Sequence, residues 1–185
     1  MTGSCPDPER KEAGESILEY TAHYDSPLGG ITIVSDGEAL TGLRFEGEKR
    51  PADAADCREG EALPAIRQTV AWLDLYFSGK TPDFTPPLCL RATAFRRAVW
   101  DIVRTIPYGK TMTYGEIAEI LAKRKGLVRM SAQAVGQAVG QNPIPILIPC
   151  HRVVGAGGKL TGYAGGLDKK EALLALEGAL GALEE

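Results

Sequence analysis

The sequence predicts a two-domain chain, an α/β N-terminal domain followed by a mainly α C-terminal domain that contains a helix-turn-helix. Three observations predict it. Short alternating apolar segments in the first half give way to apolar residues at helical spacing. The stretch 81–91, with Pro82, Pro86 and Pro87, interrupts both patterns and reads as a linker. The charge also changes sign across that stretch. Residues 1–90 carry 8 basic and 16 acidic side chains, residues 91–160 carry 11 and 3, and residues 161–185 carry 2 and 5, so the overall charge of −3 conceals a basic middle. The implied organisation is a flexible tail over 1–16, an N-terminal domain over 17–80, the linker, and a C-terminal domain over 92–180.

The N-terminal elements follow from periodicity. Segments Leu18 to Tyr24, Gly30 to Ser35 and Ala39 to Phe45 alternate or run apolar, and Ser35-Asp36-Gly37 supplies turn chemistry, so an antiparallel sheet is expected. Leu63, Ile66, Val70, Leu73 and Phe77 recur at helical spacing, and Gly79 and Pro82 end the run. No catalytic constellation is visible here. Cys5, Cys57, Cys89 and Cys150 are scattered without CxxC spacing, which argues against a disulfide framework and a zinc ribbon. Cys5 and His23 alone do not make a metal site.

The C-terminal elements begin with a helix over about Ala94 to Thr105, whose Phe95, Val99, Ile102 and Val103 share a face, broken by Pro107-Tyr108-Gly109. Thr113 caps a helix of about Tyr114 to Lys123 with Glu116 in its first turn. After a basic loop around Gly126, Ser131 caps a second helix running to about Gly140. The pair is spaced as a helix-turn-helix. The second helix, with Ala132, Ala134, Gly136 and Ala138, is dominated by small residues. Small side chains suit close backbone approach to a narrow groove better than reading base edges. Arg91, Arg96, Arg97, Arg104, Lys110, Lys123, Arg124, Lys125, Arg129, Arg152 and Lys159 are available to neutralise phosphates, and no acidic residue occurs between Glu119 and Asp168.

The segment most suggestive of chemistry is Asn142-Pro143-Ile144-Pro145-Ile146-Leu147-Ile148-Pro149-Cys150-His151-Arg152-Val153-Val154. Three prolines stiffen the approach to a thiol that is followed at once by an imidazole and a guanidinium. Thiolate is the nucleophilic form, and a neighbouring base or cation makes it accessible. Asn142 either braces the turn between the helix and the reactive loop or serves as an ordinary Asn-Pro turn residue. Farther on, Asp168-Lys169-Lys170-Glu171 has the shape of a capping box opening a last helix. On that helix Glu177 follows Leu173 by four residues and precedes Leu180 by three, which places a carboxylate on the apolar stripe. It either sits at a frayed helix end or requires a buried partner.

The Pro149-to-Val154 motif, with Asn142-Pro143 upstream and Gly162-Tyr163-Ala164-Gly165-Gly166-Leu167 downstream, resembles the O6-alkylguanine-DNA alkyltransferase family from about Thr93 to Gly178. The N-terminal half matches only in general character. The resemblance implies a ribonuclease-H-like N-terminal domain and a winged-helix-like C-terminal domain. It also implies direct-reversal repair of double-stranded DNA carrying alkylated bases. The alkyl group, typically methyl, would pass irreversibly from O6 of guanine, and from O4 of thymine, to Cys150 after base flipping. It further implies that Glu177 orients His151, which deprotonates the thiol through a water, and that Tyr114 donates its hydroxyl to the departing ring. Tyr163, Ala164, Gly165 and Gly166 would form the pocket lip, with backbone groups near Val153 and Val154 reading the base.

In the family the second helix lies in the minor groove, and an arginine on it takes the space of the extruded base. Here that position is Gln133, so either Gln133 fills the gap without a charge or Arg129 contributes. Ser131, Ala132, Gly136 and Thr113 complete the expected DNA-binding set. The resemblance implies no metal and no redox cofactor, and a monomer. The sequence lacks a long apolar run and its N-terminus lacks a leader pattern, so a soluble cytoplasmic protein is expected. Two other readings remain beside it. A non-enzymatic lesion sensor is opposed by the presence of Cys150, and a Cys-His hydrolase unrelated to DNA is opposed by the basic middle segment.

Overall fold

A computed structural model describes residues 18–48 and 57–182. The expected tail over 1–16 lies outside the described residues. The chain divides into two compact units at Ala92 and Thr93.

In the first unit, β1 (Glu19–Ser26), β2 (Gly29–Ser35) and β3 (Leu40–Phe45) form the expected antiparallel meander. β3 starts one residue later than alternation predicts, because Ala39 is used by the turn. Its N–H donates to Asp36 Oδ1 at 2.9 Å, and its carbonyl accepts from Ser35 Oγ at 2.8 Å. A fourth strand too short to show in the sequence, β4 (Cys57–Glu59), pairs in parallel with β1, giving the order β3-β2-β1-β4. The helix α1 (Pro64–Phe77) opens with proline, whose missing N–H is harmless at that position. It buries Ile66, Leu73 and Tyr76, which with Ile31, Ile33, Leu40 and Leu43 make the core of this unit. Within the proline-rich stretch, Leu88 bridges to Leu40, and Arg91 pairs with Asp36 at 3.2 Å. Cys89 is disulfide-bonded, contrary to the expectation drawn from spacing. Spacing rules see only local pairs, whereas folding joins cysteines far apart in sequence.

In the second unit, α2 (Ala94–Val103) is capped by Thr93 and ends two residues before the expected Thr105. The chain tightens there into i→i+3 bonds, Thr105 N–H to Ile102 O and Ile106 N–H to Val103 O. β5 (Met112–Thr113) leads into α3 (Tyr114–Arg124), where Thr113 and Glu116 form a reciprocal capping box. The Thr113 N–H and then its hydroxyl, both donating to Glu116 Oε2, hold that carboxyl below its ordinary range. α4 (Ala132–Gly140) is capped by Ser131, whose hydroxyl accepts from Ala134 N–H at 3.2 Å. The buried indole of Trp100 on α2 donates to Ala138 O at 2.8 Å and fastens α4 to the core.

The two-residue strand β6 (Val153–Val154) pairs in parallel with β5, Met112 opposite Val153 and Thr113 opposite Val154. The final helix α5 (Leu167–Leu176) is preceded by Gly166 at φ +99°, with no side-chain cap. The expected Asp168 capping box is therefore corrected, since the helix starts at Leu167 and Asp168 lies in its first turn, where a carboxylate favours the helix dipole without capping. No described helix is long and apolar enough to cross a membrane.

Candidate active site

The site is built at the end of the proline loop. Asn142 accepts from Ile144 N–H at 3.0 Å and donates from Nδ2 to Ile148 O at 2.8 Å, closing the loop across six residues. Ile148 O also receives Cys150 N–H at 2.7 Å, and Ile148 N–H returns to Ile144 O at 3.0 Å. Within this loop Ile146 sits at φ +72°, a region costly for a β-branched side chain. Its neighbours Ile144 and Ile148 are fully buried, and packing offsets that strain. Cys150 then opens a single 3₁₀ turn, Cys150–Arg152, with its side chain buried but not sealed, 7% exposed.

His151 and Arg152 converge on Glu177, the residue just beyond α5. Glu177 Oε1 lies 2.8 Å from His151 Nε2 and 2.9 Å from Arg152 Nη2, and Oε2 lies 2.8 Å from Arg152 Nε and 3.0 Å from Gly109 N–H. Four donors on one carboxylate account for its burial. Burial alone would raise the Glu177 carboxyl, but the hydrogen bonds and charges of His151 and Arg152 overcome it and bring it down to about 2. An ionised carboxylate only accepts, so His151 Nε2 carries the hydrogen and Nδ1 is the basic nitrogen. Burial pushes His151 below its ordinary value despite Glu177, which keeps the imidazole neutral and able to take a proton.

Arg152 was expected among the phosphate contacts. That expectation is corrected: its guanidinium is spent on Glu177, on Ile106 O at 2.7 Å, and on the Tyr108 ring, 5.7 Å away. Gly109 can hold its place only as glycine, since its φ is +73° and an added Cβ would stand 2.8 Å from Glu177 O.

The β5–β6 pairing carries the start of α3 to the exit of the reactive turn. Tyr114, the first residue of α3, donates to Thr161 O at 3.3 Å and lies along Gly136 of α4. Burial first, and the nearby Cys150 charge, raise its hydroxyl, so it stays a proton donor. Tyr163 meets the His151 ring edge to face at 6.5 Å. Ala164 is exposed and Gly165 half-buried, on the turn that precedes α5. Val153 and Val154 bury their side chains, and Val153 O is engaged by a lysine. Around α3 and α4, Arg129, Ser131, Ala132 and Gln133 are exposed, Gly136 is half-buried, and the Thr113 hydroxyl is used in the cap.

That lysine, Lys170, is the residue the sequence reading missed. Fully buried, it donates to Val153 O at 2.6 Å and Thr161 O at 2.7 Å, tying the exit of the reactive turn to the loop that receives Tyr114. Burial lowers it to about 8, against the opposing pull of Cys150. The signal was present, because Lys170 precedes Leu173, Leu174 and Glu177 by three, four and seven residues and so shares their face. Lys170→Met, which keeps the stem and removes both donors, is expected to slow reaction at Cys150 about tenfold, or roughly 1.4 kcal/mol of barrier. Single-turnover rates of the two proteins check this.

Comparison with known proteins covers both units. Residues 94–179 match the family model described as 6-O-methylguanine DNA methyltransferase, DNA binding domain. Residues 20–90 match the ribonuclease-like domain of the same description. The methylated-DNA–protein-cysteine methyltransferase of Methanosarcina acetivorans is 43% identical over 161 residues, 86% of this chain and 99% of the relative. That of Mycolicibacterium paratuberculosis is 44% identical, over 87% and 93%. The crystal structure of Mycobacterium tuberculosis O6-methylguanine methyltransferase superposes with a TM-score of 0.75 at 41% identity, covering 88% of this chain and 94% of that one. A structure from the same organism in complex with DNA gives 0.74 at 42%, with the same coverage.

Proposed function

Because the chain belongs to the 6-O-methylguanine DNA methyltransferase family, we propose that it performs direct-reversal DNA repair with Cys150 as the alkyl acceptor. The observation that carries this is the chain of contacts from Arg152 through Glu177 to His151, ending beside Cys150. Glu177, fixed as an anion, orients the neutral imidazole, and His151 takes the thiol proton through a bridging water. The sulfur then attacks the alkyl carbon at O6 of guanine. The carbon–sulfur bond forms as the carbon–oxygen bond breaks, and the electron pair passes into the guanine ring. Tyr114 supplies the proton that neutralises the ring, exchanging its present bond to Thr161 O for one to the base. A positioned base contributes about 10²- to 10⁴-fold to such a step.

Stacking shields O6 inside a duplex, so the base is flipped into the site. Tyr163, Ala164 and Gly165 edge the pocket, backbone groups near Val153 and Val154 face the base, and Asn142 holds the reactive loop in shape. DNA lies on α4, with Ser131, Ala132, Gln133 and Gly136 in the minor groove and Arg129 and Thr113 beside it. Gln133 fills the space of the extruded base. Gln133→Ala is expected to slow repair of duplex DNA about tenfold and to leave reaction with free O6-alkylguanine unchanged. Equal slowing on both substrates would remove Gln133 from extrusion.

On the same reading, residues 92–180 form a winged-helix-like domain that holds both DNA and the reacting thiol. Residues 17–80 are a ribonuclease-H-like support, and O4 of alkylated thymine is a second substrate. The protein acts as a cytoplasmic monomer, and the steps above call on its own side chains and a water, with no metal or redox cofactor. A thioether does not hydrolyse under cellular conditions, so each molecule acts once. Transfer of labelled methyl from duplex DNA should stop at one equivalent per chain, whereas continued turnover would make the protein a hydrolase instead.

A further inference from the structure

Between α3 and α4 the chain presents a surface of which the function proposed above uses only Arg129. Lys123, Arg124, Lys125 and Arg129 are all exposed, and among the described residues none is paired with a carboxylate. Between the last two of these cations stand Leu127, 49% exposed, and Val128, 98% exposed. A groove of about 390 Å³ runs beneath them, walled by Ala118 and Ala122 of α3, Met130 of the loop and Ala132 of α4, with Glu119 its one acidic wall residue. Lys123 and Arg124 in the last turn of α3 also favour that helix's dipole. Lys125 has a further contact over the Phe95 ring, at 5.7 Å. Neither role explains an apolar tip held out between cations three residues before the Ser131 cap of α4.

We propose that loop 123–129 is a second duplex-DNA contact, a clamp whose cations hold phosphates of the strand flanking α4 while Val128 and Leu127 seat against the sugars and base edges of the groove. Charge complementarity selects the partner. Four cations without a carboxylate partner in seven residues match a phosphate track, and an apolar tip beside them matches the way minor-groove proteins press aliphatic side chains against the duplex. The contact is indifferent to sequence, as a search for rare lesions requires. It strengthens residence on DNA without touching the reacting atoms. This inference rests on the reading of α4 as a DNA-binding helix.

The test is the salt dependence of binding to an undamaged duplex, measured by fluorescence anisotropy for wild type, Arg124→Gln/Lys125→Gln and Val128→Asp. Reaction with free O6-alkylguanine reports that fold and thiol are intact in each. Loss of two phosphate contacts should flatten the slope of log affinity against log salt by about 1.8. Val128→Asp should weaken binding about tenfold or more, with the free-base reaction unchanged in all three proteins. An unchanged slope in the double variant, or wild-type affinity in Val128→Asp, overturns the clamp, including the case in which the loop serves a protein partner. If wild type transfers no methyl from a lesion duplex, the parent reading fails first and the clamp with it.

Discussion

Glu177→Gln is expected to slow methyl transfer by about 10²- to 10⁴-fold, the range a positioned general base supplies. The neutral amide keeps the volume of the carboxylate but loses its charge. It can donate as well as accept, so it no longer dictates that His151 holds its hydrogen on Nε2, and Nδ1 is no longer reserved for the thiol. The variant also leaves the Arg152 guanidinium buried without its anion. A structural defect alone would not move the ionisation of Cys150, so iodoacetamide labelling against pH separates the two effects. The midpoint for thiolate formation should rise in Glu177→Gln. An unchanged midpoint together with wild-type transfer would contradict the role assigned to the carboxylate.

The largest stability effect is expected at Arg152. Arg152→Met fills similar volume but abandons two bonds to Glu177 and one to Ile106 O. Breaking one side of a buried pair typically costs about 3–5 kcal/mol, to be read from urea unfolding. Arg104→Met, at an exposed position, should stay within about 0.5 kcal/mol. The pH dependence follows with a definite sign. Glu177 lies at about 2 in the fold against an ordinary 4.5. It therefore adds stability in full above pH 4.5 and loses it as pH falls through that interval. His151, held below its ordinary 6.5 by burial, acts in the same direction, because the unfolded chain takes up a proton the fold refuses. Wild type should thus lose stability progressively from pH 7 downward. In Arg152→Met the carboxylate stage should shrink, since loss of the Arg152 charge raises the folded value toward the unchanged 4.5 of the unfolded chain.

Much of this was legible in the sequence where the relevant physics is local. The Thr113 and Ser131 caps, the helix at Leu63 to Phe77 and the strand alternation are properties of a few consecutive residues, and each element forms near its expected bounds. Glu177 could be singled out because a carboxylate on an apolar stripe demands a partner, and the partners exist in the fold. Tertiary facts were not legible. Arg152 looks like any other cation in a basic segment until Ile106, Tyr108 and Glu177 gather around it. Lys170 was read as part of a cap because a lysine at a helix start is ordinarily solvated. Strands of two or three residues, such as Met112–Thr113 and Cys57–Glu59, exist only through their partners and leave no periodicity to find.

The central claim is that one alkyl group moves from DNA to Cys150. Its most direct test is intact-protein and peptide mass spectrometry after mixing the chain with excess duplex carrying a single O6-methylguanine, with Cys150→Ser alongside. One added methyl on the wild-type chain, confined to the peptide that contains Cys150 and missing from the variant, is the predicted result. A chain that binds the lesion duplex but gains no mass, or that carries the methyl on another residue, would contradict it.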